Sequence, residues 1–352
     1  MRQESFDFLK QLVETPSPSG FEQAAQKLVR QQMADAADEV STDVHGNVIG
    51  VLNPGAQLRV MLAGHVDEIG MMVTHISEKG YIHCSAIGGV DVTLVPGQRV
   101  HVHNERGVTI GVVGKKAIHL LTEEERKRSP KLRDLWIDIG AKDRKDAQKA
   151  AAVGDPITFA VPFERLRNDV VVCHGFDDKA GSFVVVETLR RLWGKPLKVA
   201  VHGVSTVQEE LGLRGARTSA YGVDPHIGVA IDVTHASDFP GVEAKELGEV
   251  SLGKGPVLHR GANISPVVGA LLIKTARRKR IPTQMQAAPR ATGTDANAIQ
   301  ITRSGVAAGL VSIPNRYMHT PVEAVSLKDL DNTSRLLAEF ILALEPSIDL
   351  TP

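Results

Sequence analysis

The feature that most limits the folds open to this chain is a recurring unit. An apolar run of strand length is followed, within a few residues, by a side chain able to bind a cation. LRVMLAG leads to His65, DVVVCHG to Asp177, KVAVHGVSTVQ to Glu209 and Glu210, HIGVAI to Asp232, and AAGLVSIPNRYM to His319. Runs this uniformly apolar suit strands covered on both faces, and strands alternating with helical patterns suit an α/β architecture. In such sheets functional side chains gather beyond the carboxyl ends of the strands, where rigid strands feed converging loops.

The remaining stretches fill in this frame. Phe8, Leu9, Leu12 and Val13 share one face of an opening helix that TPSPSG ends. Ser19 and Glu22 stand in the capping-box relation before a second helix, expected to run to about Ala36. Strands are expected at Val48 to Leu52 and Leu58 to Ala63. From Gly70 to about Val161 the texture changes to short alternating strands divided by glycines, with a charged, solvated segment from Thr122 to Lys131. After Val170 the alternation of strand and helix returns, with helices at about Lys179 to Leu192, Arg214 to Tyr221, Val267 to Arg278 and Leu327 to Leu344. The expectation is an α/β domain, 1–69 with 162–352, interrupted by a β-rich insertion at 70–161.

Composition excludes several classes. The 352 residues carry 41 Lys+Arg against 41 Asp+Glu, so no basic excess marks a nucleic-acid or anionic-membrane partner. The one basic cluster, Arg277 to Arg280, reads as a solvated helix end. No apolar run reaches the ~18 residues of a membrane span, and the amphipathic start MRQESFDFLKQLVE, with its acids, is unlike a signal core. The cytoplasm is the expected location. Cys84 and Cys173 lie far apart in apolar segments and read as reduced.

Two histidines with several carboxylates and no cysteine suit zinc, cobalt or manganese. Four or five ligands exceed one tetrahedral site, so a bridging carboxylate could hold two ions about 3.5–4 Å apart and acidify a shared water. That chemistry is hydrolysis. Each residue alone also has a plain reading. His65 or His319 could be a structural strand-end histidine, Asp177-Asp178 a helix cap, Glu209-Glu210 a solvated pair, and Asp232 a turn former. Their joint placement after separate strands is what favours a site.

The segments AGHVDEIG, GFDDKAGS, TVQEELGLRGA, AIDVTHASDFPG, ATGTDA and IPNRYMHT resemble, in order and over essentially the whole chain, the M42 metallo-aminopeptidases, a group that includes glutamyl and tetrahedral aminopeptidases and some proteins called cellulase M. The resemblance implies a mixed-sheet α/β/α metallopeptidase domain with an inserted small β-barrel-like domain for dimerisation and assembly. It implies two divalent ions per subunit, zinc or cobalt with manganese as a third candidate. Asp177 would bridge them, Glu210 and His319 would complete one site, and His65 and Asp232 the other. Glu209 would be the general base on the metal-bridging water. Asp67 and Asp178 would stand behind the ligands, Asp67 fixing the His65 tautomer, and a cis peptide bond would follow Asp177. Lys179 stands where arginine is common and could neutralise local carboxylate charge; Thr320 stands where serine is common. Asp238, Thr294 and Asp295 are candidates to touch substrate, with turn or cap roles as the alternatives. The implied partners are peptides and further copies of the chain, a dimer as the unit of a tetrahedral dodecamer.

Gly248 to Lys254 nearly spells a phosphate-binding loop, but Gly255 replaces the required hydroxyl residue and Pro256 blocks the helix that should follow. Neither HExxH nor GxSxG occurs. The rival readings are a two-metal carboxypeptidase or deacylase, and a metal-dependent scaffold without turnover. A glycosidase is disfavoured by aromatics at only 4%.

Overall fold

The computed structural model describes residues 1–352. An eleven-stranded mixed sheet forms its centre. Across it the order is Glu39–Thr42, Val48–Leu52, Ala200–Thr206, Arg59–His65, Ile227–His235, Ala307–Arg316, Glu323–Ser326, Val170–Cys173 and Glu164–Arg165. Val257–Gly261 and Gln284–Ala288 branch from Ala307–Arg316. The four middle strands from Ala200–Thr206 to Ala307–Arg316 are parallel neighbours, which points their carboxyl ends the same way. Register aligns Thr206 with His65 and Asp232 with Ser312. Residues distant in sequence therefore arrive at one level of the sheet.

The strand Arg59–His65 is buried along almost its whole length because helices cover both faces. On one face the helix Phe176–Leu192 is buried nearly throughout and lies under the core shared with Gln3–Glu14 and Leu327–Leu342. Its approach to the sheet is close: a Cβ on Gly64 would stand 2.5 Å from the Gly181 carbonyl carbon. Two glycines at that crossing are what allow the helix start, with its acids, to lie against the end of the His65 strand.

The insertion is a closed six-stranded antiparallel barrel made of Gly70–Ile76, Ile82–Ile87, Trp136–Asp138, Gly107–Gly114, Arg99–Asn104 and Pro156–Phe159. Its strands alternate: Val100 and Val102 point into a core of 14 buried residues separate from the main one, while Arg99, His101 and His103 face outward. That separate core makes the barrel a body of its own. No helix is long and apolar enough to cross a membrane.

Several local expectations change. Ser19 and Glu22 form no capping box: the helix Gln23–Ala34 starts later, with no side-chain cap. The Ser19 hydroxyl instead donates to Asp67 at 2.7 Å, and Glu22 accepts from the main-chain N–H groups of Gly20 and Gln208. Tertiary partners have outbid the local motif. A capping box does occur at Thr122 and Glu125, on the exposed helix Glu123–Lys127. Cys173 is buried and Cys84 half-buried, both as free thiols. The short strands Glu39–Thr42, Val257–Gly261, Gln284–Ala288 and Glu323–Ser326 carried no alternation strong enough to be read.

Candidate metal centre

Every strand-end residue named above except Glu210 and His319 is buried, and those two stand at the rim. The side chains form two adjoining groups, His65 with Glu209 and Asp232, and Asp177 with Glu210 and His319. Within each group the potential ligand atoms lie within 4.8 Å of one another. Asp177 joins the groups: its Oδ1 is 3.2 Å from His65 Nε2 and its Oδ2 is 3.3 Å from His319 Nε2. Glu210 Oε1 is also 3.3 Å from His319 Nε2. Around His65 Nε2, Glu209 Oε2 stands at 3.8 Å and Asp232 Oδ1 at 4.0 Å. Glu209 is thus as near His65 as Asp232 is.

Each side chain is held by the local chain path. His65 ends its strand, its Nδ1 against the Asp67 main-chain oxygen at 3.0 Å, with the Asp67 carboxylate at 3.4 Å. The nearer partner of the imidazole is therefore the carbonyl. The Asp67 carboxylate does something else: its two oxygens accept the N–H groups of Glu209 and Glu210, at 3.0 and 3.2 Å. Asp178 accepts the His65 N–H at 3.2 Å and also the Gly181 N–H at 2.9 Å, so it retains the cap role as well. The Asp177-Asp178 peptide is cis, as the resemblance implies.

The other candidates divide. Asp295 is buried, accepts the Thr206 hydroxyl at 2.6 Å, and has an Oδ1 with no hydrogen-bond partner. Thr294 is the N-cap residue of Asp295–Gln300 but makes no side-chain cap; its hydroxyl meets Thr292 instead. Asp238 is paired in two-pronged fashion with Arg316 at 2.7 Å and accepts the Leu252 N–H, a loop-holding role. Lys179 is fully buried, yet its Nζ faces Glu68 at 2.9 Å rather than the cluster.

Two supporting acids escaped the sequence reading. Glu323 accepts the Asp177 N–H at 2.8 Å and the His319 N–H at 3.1 Å, so one carboxylate holds the backbone under both members of the second group. Its only sequence signal is an acid in the short apolar strand Glu323–Ser326. Glu68 binds Lys179, His174 and the Ser17 N–H, and lies inside a motif that gave it no task.

The electrostatics call for cations. Burial lifts Glu209 to about 10 and Glu323 to about 8, and lifts Asp232 and Asp178 well above the carboxylate range. Against burial, Glu209, Asp177 and Asp67 raise His65 far above an ordinary imidazole. Hydrogen bonds to Asp177 and Glu210 take His319 to about 11. Burial would raise Asp177 too, but His319 and His65 hold it below its usual range. Without ions such a cluster must retain protons; divalent cations would replace them. The donor set, imidazole with carboxylate and no thiolate, fits ions of the zinc, cobalt and manganese kind.

Comparison with known proteins agrees in fold and in kind. A family model described as M42 glutamyl aminopeptidase matches residues 46–336. The chain is 38% identical over 351 residues to a lysyl aminopeptidase of Pyrococcus furiosus, covering 99% of each. Among solved structures it is similar to a TET aminopeptidase from a marine-sediment Thaumarchaeota archaeon, with a TM-score of 0.93, 36% identity and 98% of both chains covered. It is similar also to the Pyrococcus horikoshii TET1 peptidase, which can assemble into a tetrahedron or a large octahedral shell. There the TM-score is 0.86 and the identity 30%, over 97% of this chain and 100% of the other.

Proposed function

We propose that this chain, which belongs to the M42 glutamyl aminopeptidase family and is an aminopeptidase, works as a dinuclear metallo-enzyme with Glu209 as general base. The observation that carries the reading is Asp177, which offers one oxygen to the His65 side and the other to the His319 side. A carboxylate so placed suits a bridge between two ions. His65 and Asp232 would hold one ion, Glu210 and His319 the other. Zinc or cobalt, with manganese as a further candidate, would supply Lewis acidity for the scissile carbonyl and lower the pKa of water.

The chain's own residues account for the rest. Glu209, left outside the ligand set, takes the proton of the attacking water on its carboxylate and returns it to the departing amine. Burial keeps that carboxylate basic, with its affinity for a proton raised until nearby cations lower it. Asp67 fixes the backbone of Glu209 and Glu210 together, so that consecutive acids diverge into different tasks. His319 is the half-exposed wall by which a peptide end can enter, its side chain 39% accessible. Asp295, beside this cluster, is the remaining candidate for contact with substrate.

The substrates of this reading are peptides with a free N-terminus, and the working unit is a homo-oligomer with a dimer as building block and a dodecamer as the closed form. The barrel supports it: Val108, Ile110 and Val112 on one outward face of Gly107–Gly114 are 58%, 65% and 48% exposed, an apolar stripe unsuited to water. The decisive assay is a panel of chromogenic amino-acid amides, free and N-blocked, with ion-free protein reloaded by zinc, cobalt or manganese. Turnover of free-amine substrates only is expected. Equal turnover of blocked ones would favour a deacylase.

A further inference from the structure

The loop at 88–91 belongs to the barrel, yet it touches the site's outer group. The Gly89 main-chain oxygen is 3.1 Å from His319 Nδ1, and the Asp91 N–H donates to the His319 carbonyl at 3.4 Å. A Cβ on Gly89 would stand 2.7 Å from His319 Nδ1 and 3.0 Å from its Cε1. A Cβ on Gly88, whose φ is +71°, would stand 3.1 Å from Glu210 Oε2 and 2.8 Å from Ile69 Cγ2. Two residues without side chains are what let this backbone lie against both the imidazole and the carboxylate.

A carbonyl can only accept, so a neutral His319 bonded to Gly89 carries its proton on Nδ1 and turns the Nε2 lone pair toward Asp177 and Glu210. The half-exposed ring has no other side-chain partner on its Nδ1 edge. His65 is different: its Nδ1 faces Asp67, two residues along its own strand end. One group orients its imidazole from within the main domain, and the other borrows an acceptor from the insertion. We propose that Gly88-Gly89 is a positioning element through which the barrel sets the His319 tautomer and retains the outer ion, so that barrel docking is coupled to occupancy of one ion site of the two. This rests on the reading of His319 as a ligand.

Gly89 is outside the left-handed glycines of the chain, so alanine fits its backbone and the strain falls on the His319 ring. The test compares the whole protein with Gly89→Ala and with a second variant in which Val90 is replaced by its α-hydroxy acid. That ester weakens the Gly89 carbonyl as an acceptor while adding no bulk. Stepwise zinc affinities come from chelator competition, and thermal unfolding in chelator monitors the fold. Both variants should keep the tighter zinc and the fold while the other zinc weakens 10- to 100-fold, the usual effect of losing an orienting partner. Unchanged affinities in both variants, or equal weakening of both ions, would overturn the proposal alone. A wild-type chain holding fewer than two zinc ions would remove the reading of His319 beneath it, and the proposal with it.

Discussion

Lys179→Met should unsettle the protein more than any surface change, by an amount the structure allows to be worked out. Lys179 Nζ is completely buried, 2.9 Å from Glu68 Oε1, and donates to the Thr15 carbonyl at 2.8 Å. Glu68 lies three residues after His65, and Lys179 two after Asp177, so the pair ties the two chain segments that meet at the centre. Burial alone would raise the Glu68 carboxyl, but Lys179 and then His174 bring it from 4.5 down to about 2. At ~1.4 kcal/mol per pH unit that drop is about 3 kcal/mol of stability at neutral pH. Because the folded value is depressed, this contribution is complete above pH 4.5 and fades as the pH falls toward 2. Removing one partner of a buried pair costs about 3–5 kcal/mol, of similar size. The assay is thermal and urea unfolding of ion-free protein at pH 7, where roughly 4–7 °C should be lost. Adding Glu68→Gln should restore more than half of it, since the stranded charge is gone. In parallel, the gap between wild type and Glu68→Gln should narrow below pH 4.5. A single variant within about 1 kcal/mol of wild type, or a double variant no better than the single, would refute the reasoning.

Further expectations concern the site and the assembly. Glu209→Gln should retain zinc at wild-type stoichiometry while kcat falls roughly 10²–10⁴-fold, the span of a lost general base; loss of an ion instead would make Glu209 a ligand. Zinc should stabilise the fold by about 2.7 kcal/mol per site at 100-fold excess over its Kd, growing with the logarithm of free zinc, and chelator should reverse the accompanying rise of the unfolding midpoint in differential scanning fluorimetry. Ile110→Asp, a charge in the apolar stripe of the barrel, should lower the mass seen by light scattering without altering the far-ultraviolet spectrum.

How much of this the sequence disclosed follows from distance along the chain. The strands Arg59–His65, Ile227–His235 and Ala307–Arg316 are largely buried, so each is written around an apolar run that its candidate residue follows, Asp232 coming directly after Ile231 and three residues before its strand ends. His65, Asp232 and His319 could be read for that reason. Glu323 and Glu68 could not: their partners Asp177 and His174 lie 146 and 106 residues away, and no local pattern announces such a bond. Ser19 shows the converse, a good local motif overruled by a hydroxyl reaching 48 residues to Asp67. The Gly88-Gly89 contact was hidden for a further reason, since a glycine records what must be absent from a place and not what stands there.

The pairing of Lys179 with Glu68 also bears on what the centre requires. Five acids, Asp177, Glu209, Glu210, Asp232 and Asp295, crowd around two imidazoles in a largely buried space. A permanent cation at Lys179, beside Asp177 and Asp178 in sequence, would be the natural counter-charge. Its ammonium is instead already matched by Glu68. Arg316 is likewise matched by Asp238. The protein has therefore placed its nearby fixed positive charges elsewhere, and the remaining deficit can be met only by protons or by ions from solution. Protons would leave Glu209 with nothing to accept. Ions would lower its hold on a proton and leave it free to take one, so in the proposed reading the same charge deficit that would draw metal into the site would also bring Glu209 into a useful range.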